Sequence, residues 1–320
     1  MKKTLWYSDR CLLWRVALLG IIAFTVVLSG IHSPVNAKDI KQKSFASPEE
    51  AVKALVEALR VNDRNELLAI FGPEGKEVIS SGDEDMDRVG REQFLKRYEE
   101  MNKLESIAPD EVLLRVGNDD WICPIPFVKK GNVWFFDIEE GKAEILNRRI
   151  GRNELRVIEA FREYGDAQRE YASKDRDGDG VLEFAQKFGS TEGKKDGLYW
   201  EVKEGEEESP FGPLVASAAK EGYTKKKQDA PRPFHGYYYR ILTKQGKHAT
   251  GGNFDYIVKG NLILGFAAIA YPARYGNSGI MSFIVNQEGV VYQKDLGKNS
   301  EKIAKAVKMY DPDKTWKKVE

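Results

Sequence analysis

Residues 175–183 read Asp-Arg-Asp-Gly-Asp-Gly-Val-Leu-Glu. Carboxylates at alternate positions converge on one point when the chain turns tightly, and Gly180 supplies the turn. This is the first half of an EF-hand-type calcium loop, with oxygen ligands expected from Asp175, Asp177 and Asp179, a backbone carbonyl from Val181, and Glu183 binding directly or through water. Position twelve, where a bidentate Glu is usual, holds Gln186, a neutral side chain with one oxygen. Fewer charges mean weaker binding, so affinity on the order of 10⁻⁴–10⁻³ M is expected, as in extracellular modules. A turn capping the next segment without metal is the plain alternative. No other cofactor is suggested.

Other reactive side chains are sparse. Beyond residue 37 the histidines are His235 and His248, and Cys123 is the one cysteine. Cys123 sits between Ile122 and Pro124 with no His or Lys close in sequence, which points to a buried structural thiol. His235, Asp255 and Ser278 contain the residue types of a hydrolytic triad, but nothing in their spacing brings them together. His235 precedes Gly236-Tyr237-Tyr238-Tyr239, whose alternation puts Tyr238 on one strand face and Tyr237 and Tyr239 on the other. An exposed tyrosine face suits contact with carbohydrate or protein. The connection at 271–279 holds two tyrosines and an arginine, and long loops of this kind often carry function.

The amino terminus fixes where these groups work. Lys2, Lys3, Arg10 and Arg15 precede an apolar run at 16–28, followed by Ser29, Gly30, Pro34 and Val35-Asn36-Ala37. That pattern is a cleavable export signal, cut near Ala37, with an apolar core shorter than the roughly 20 residues of a spanning helix. A periplasmic or extracellular protein with no stable membrane span is expected. Its removal takes four basic residues and one acidic residue from the 50 of each, leaving 46 against 49. Nucleic acid is therefore an improbable partner. A single remaining thiol excludes an internal disulfide.

The elements that must position the groups follow. Ser47, Pro48 and Glu50 form a capping box ahead of Val52, Leu55, Val56 and Leu59, an apolar helical stripe. A second helix follows Asp63 and stops at Gly72-Pro73, 80–87 reads as an acidic loop, and a third helix carries Phe94, Leu95, Tyr98 and Met101. Strands are expected at 112–116, 121–128 and 133–138, a helix at 143–174 interrupted near Gly151, and an exiting turn at 184–188. A short helix from Ser209-Pro210 and a basic linker at 225–233 come next. Strands at 237–242, 254–258, 262–270, 280–285 and 290–292 form a meander, closed by a helix at 300–309. The class is α+β: a signal peptide at 1–37, helices on a curved antiparallel sheet at 38–150, a helix-loop-helix at 151–190, and a β-rich part at 191–320. The order of elements in the first part resembles cone-shaped, cystatin-like folds that often enclose a pocket.

Several runs resemble a bacterial family catalogued as domain of unknown function 2950. They are R-R-I-G-R-N-E-L at 148–155, Y-A-S-K-D-R-D-G-D-G-V-L-E-F-A-Q-K-F at 171–188, K-K-D-G-L-Y-W at 194–200, G-Y-Y-Y-R-I-L-T at 236–243, and the stretch from G-F-A-A-I-A-Y-P at 265 to V-V-Y-Q-K-D-L-G ending at 297. The resemblance spans nearly the whole exported chain. It implies an exported protein, largely of Gram-negative bacteria, and supplies no activity. A second similarity, carried by the long helix, the acidic loop, the Gly-Tyr strand and the strand through F-I-V-N-Q-E-G-V-V-Y, is to pilin-like globular heads. The Gly-Phe cleavage site of pilins is missing.

The residues favour a calcium-binding envelope protein with a binding or assembly role, its partner an envelope protein or glycan, over catalysis. The rivals are a periplasmic hydrolase or carbohydrate-active enzyme with a pocket near His235, and a pilin-like assembly component.

Overall fold

The computed structural model describes residues 41–202, 205–223 and 232–319. The expected signal at 1–37 and most of the basic linker lie outside them. Ser47 caps the first helix, α1 (Pro48–Val61), by accepting from the Glu50 N–H, and the Glu50 carboxylate reaches back to accept from the Ala46 N–H at 2.8 Å, one residue ahead of the bond a strict capping box makes. Asp63 caps α2 (Arg64–Phe71), and a one-turn α3 (Lys76–Ile79) follows.

The acidic stretch that reads as a loop begins a helix instead. α4 (Glu84–Glu100) is capped by Asp83, and Glu84, Asp85 and Asp87 fill its first turn, where the helix dipole favours negative charge. The first sheet comprises β1 (Asn102–Ala108), β2 (Glu111–Val116), β3 (Trp121–Ile122), β4 (Phe127–Lys130) and β5 (Val133–Phe136), antiparallel in the order β1-β2-β4-β5 with β3 beside β2. Strand β1, absent from the expectations, is a polar edge. α1 and α2 pack on this sheet around Phe71, Phe127 and Phe136.

Asp137 then caps α5 (Ile138–Tyr171), 34 residues without a break. It starts earlier than expected and runs through Gly151, whose Cβ position faces open space. One helical glycine costs only about 1 kcal/mol, so a long packed helix absorbs it. After an irregular stretch come α6 (Gly212–Lys220), β6 (Tyr237–Leu242), β7 (Lys244–Gln245), β8 (Phe254–Asp255), β9 (Ile257–Val258), β10 (Asn261–Leu262), β11 (Ala267–Pro272), β12 (Met281–Asn286), β13 (Tyr292–Asp295), α7 (Ser300–Ala306) and β14 (Lys317–Lys318). The second sheet has the order β14-β13-β12-β11-β6, while β7–β8 and β9–β10 are separate two-stranded ladders. Strand β11 is buried at every position, with β6 and β12 on its two edges. The fold is α+β.

Each sheet has its own apolar cluster, and α5 contributes to both: Ile138 to the first, Val157, Phe161 and Tyr164 to the second. Polar contacts close the joint between them. Arg149 donates to the Glu77 and Val78 carbonyls at 2.7 and 2.9 Å and to the Asn277 side chain. The Asn277 amide donates to the Ser80 carbonyl at 2.9 Å, and Arg274 reaches the same oxygen. The connection at 271–279 thus docks one half of the chain on the other.

Asp83 is the centre of this joint. Its buried carboxylate accepts from the Met86 N–H at 3.2 Å, the Tyr223 hydroxyl at 2.9 Å and the Gly236 N–H at 3.0 Å. Asp83→Ala removes a helix cap and strands two further donors, so it should destabilise the protein by about 3 kcal/mol. Glu84→Ala, at an exposed neighbour, should stay within about 0.5 kcal/mol. Urea unfolding of the two variants checks the contrast.

Candidate functional site

The acidic loop begins four residues past the end of α5. Gly178 and Gly180 adopt φ of 81° and 86°, left-handed values that a side chain resists. Asp175 accepts from the Gly178 and Gly180 N–H groups at 2.8 and 2.9 Å, and Asp179 from the Val181 N–H at 2.8 Å. These bonds curl the chain and hold the Asp175 carboxyl below its ordinary range. Asp175, Asp177 and Asp179 each bring a carboxylate oxygen within 4.8 Å of the others. Calcium takes oxygens at 2.3–2.6 Å, so ligands facing each other across the ion stand about 5 Å apart, and the cluster fits.

Like charges at about 4 Å repel by about 1 kcal/mol per pair even in water. The Arg176 guanidinium inside the loop does not relieve this. It donates to the Glu170 and Tyr171 carbonyls, pairs with Glu207 at 3.2 Å and stacks over Trp200.

Two further expected ligands also bond the segment at 257–262. Glu183 Oε2 accepts from the Leu262 N–H at 3.0 Å, and the Gln186 amide donates to the Gly260 carbonyl at 2.7 Å. Burial raises the Glu183 carboxyl pKa, and the charges of Asp177 and Asp179 add to the rise. Glu183 therefore senses the acidic cluster while standing outside it. No helix leaves the loop. The Phe184 N–H donates to the Leu262 carbonyl at 2.8 Å, and buried Gln168 clamps Ala185 in both directions, at 2.8 and 2.9 Å. The chain exits extended, because Phe184, Ala185 and Phe188 are each claimed by the second core.

Phe188 forms part of a cavity of about 410 Å³ between α5, α6 and β6. Phe161, Tyr164, Phe211, Phe234 and Tyr239 are further walls. Phe188 stacks on Phe211 with centroids 6.1 Å apart and planes 8° from parallel. Among the described residues the buried Tyr239 hydroxyl has no hydrogen-bond partner. Tyr238 also lines the cavity, whereas Tyr237 is fully buried with its hydroxyl donated to the Met281 carbonyl at 2.9 Å. The sequence points to the tyrosines and to a pocket near His235, but not to the walls supplied by α5, α6 and Phe188, which come from segments far apart in the chain.

His235 is buried at φ 49°, its Nε2 3.5 Å from the Glu221 carboxylate. Asp255 and Ser278 serve other partners: Asp255 pairs with Lys244 at 3.1 Å, and the Ser278 hydroxyl bonds the Arg274 backbone. His248 faces Asp311 at 3.1 Å. Cys123 is buried, and burial pushes its thiol up to about 11.

The chain belongs to the family described as "Protein of unknown function (DUF2950)", whose family model matches residues 42–319. No curated protein and no solved structure matches it. No helix among the described residues is long and apolar enough to cross a membrane.

Burial, aided by Arg156 and opposed by Glu159, lowers the His235 pKa from 6.5 to about 4. The unfolded chain takes up this proton at higher pH than the folded one. The stabilisation from a neutral His235 is thus complete above pH 6.5 and is lost as pH falls toward 4, at up to about 1.4 kcal/mol per pH unit. His235→Asn tolerates the left-handed backbone and abolishes the titration. Its unfolding free energy should fall less steeply than the parent's between pH 6.5 and 4, and equal slopes would show that His235 does not set them.

Proposed function

We propose that the protein is an exported, calcium-stabilised binding protein of the bacterial envelope, with the aromatic cavity as its ligand site. The observation that carries this reading is the path from loop to cavity. The three-carboxylate cluster ends at Asp179, Phe184 and Ala185 anchor the exiting chain, and Phe188 three residues on forms the cavity wall. A cation at Asp175, Asp177 and Asp179 removes the repulsion that would loosen this stretch. Val181 would supply a carbonyl, with Glu183 and Gln186 tying the loop to the β9–β10 ladder.

The cavity suits an apolar or aromatic group carrying one hydrogen-bond acceptor for the Tyr239 hydroxyl, such as a protein side chain or the apolar face of a sugar. Export rests on the charged and apolar pattern of residues 1–37. The hydrolase reading has less support, because the groups that would accompany His235 are bonded elsewhere.

Ligand binding to the native state adds about RT ln(1 + [Ca²⁺]/Kd), which is ~1.4 kcal/mol at tenfold excess over Kd. Millimolar calcium should therefore raise the unfolding temperature of the purified protein above its value in chelator, and an Asp177→Ala, Asp179→Ala variant should show no such rise. Equal melting of the parent in calcium and chelator would remove calcium from the account.

A further inference from the structure

A second cavity, about 310 Å³, lies in the amino-terminal half between α1, α4 and α5. Its floor is apolar: Leu55, Leu67 and Phe71 are buried, and Phe94 and Trp121 stand partly open to it. Its rim is cationic. Arg91 comes from α4, and Arg148, Arg149 and Arg152 come from α5 together with Ile145. Ile145, Arg149 and Arg152 recur at the spacing of one helical face, as do Asp87, Arg91 and Phe94 on α4.

Four guanidinium groups face a single lining carboxylate, Asp87, which already accepts from the Ser81 N–H at 3.0 and 3.1 Å. Arg148 pairs with Glu144 at 2.6 Å, and Arg149 is bound to the backbone and Asn277. Arg91 and Arg152 make no hydrogen bond or ion pair with any described residue. Burial lowers the pKa of Arg149, opposed by Asp87, and the charges of Arg152 and Arg274 lower it further. Positive charge at this rim is in excess.

We propose that this cavity binds a single-chain amphiphile with an oxyanion head, its chain against Leu55, Phe71 and Phe94 and its head between Arg91 and Arg152. An apolar floor selects a hydrocarbon, and planar guanidinium groups select carboxylate or phosphate oxygens. At about 30 Å³ for each water-sized group, the space holds a chain of about ten heavy atoms. That length fits a medium-chain acyl or alkyl group.

Isothermal titration with decanoate, decyl phosphate, decanol and decyltrimethylammonium, each below its micelle concentration, tests this. At least one anion should bind saturably and ten or more times tighter than decanol, with decyltrimethylammonium weakest. The tighter of the two anions identifies the head group. Arg91→Gln with Arg152→Gln should weaken anion binding at least tenfold and leave decanol unchanged. Gly90 lines the cavity on α4, and its Cβ position meets nothing within 4 Å. Gly90→Leu should therefore fold at least as stably, since it removes a helical glycine, while losing the ligand by occupancy. Absence of saturable binding, or equal affinity for decanol and both anions, would overturn the proposal.

Discussion

The length of α5 constrains everything around it. At 1.5 Å per residue its 34 residues span about 50 Å, and it contributes to both apolar cores. Its first turns complete the amino-terminal core through Ile138, its middle packs Val157 and Phe161 under the second sheet, and its last turn delivers the chain to the acidic loop. A helix shared by two cores cannot bend at one without disturbing the other. Asp83 and Arg149 fix the remaining freedom, since each satisfies backbone groups from both halves or from the loops that join them. The loops at 80–83 and 271–279 therefore carry buried polar residues, such as Asp83, Ser278 and Asn277, that would be costly to leave unpaired.

The same rod links the loop to the cavity. Tyr164 forms a cavity wall and donates its hydroxyl to the Ala267 carbonyl, while Gln168, one turn on, bonds Tyr164 and clamps Ala185. Under the proposed function, a cation at the carboxylate cluster would order the segment that leads to Phe188 and Phe211, and metal and ligand would then favour each other's binding by the same factor.

Local signals in the sequence were strong where one residue decides an outcome. The Ser47–Glu50 pairing and the Asp63 cap are legible because capping acts over a few residues, whereas β6 shows no burial alternation, since Tyr238 and Tyr239 both line the aromatic cavity. The start of α4 was obscured because an acidic first turn has the composition of a solvated loop. Strand β1 was missed because Asn102, Lys103, Glu105 and Ser106 give an edge strand no apolar period. The three aspartates were legible as a cluster. The extended exit after them was not, because the Phe184 bridge to Leu262 and the Gln168 clamp are contacts across 78 and 17 residues. The walls of both cavities were hidden for the same reason, being assembled from helices and strands that meet only in the folded chain.

The most direct test of the link between loop and cavity is amide hydrogen exchange with and without millimolar calcium, followed over residues 175–200 and 257–262. The account predicts slower exchange in calcium at Phe184, Ala185 and Leu262 and onward to Phe188, by tenfold or more. Protection confined to the loop, or exchange that calcium leaves unchanged, would contradict it.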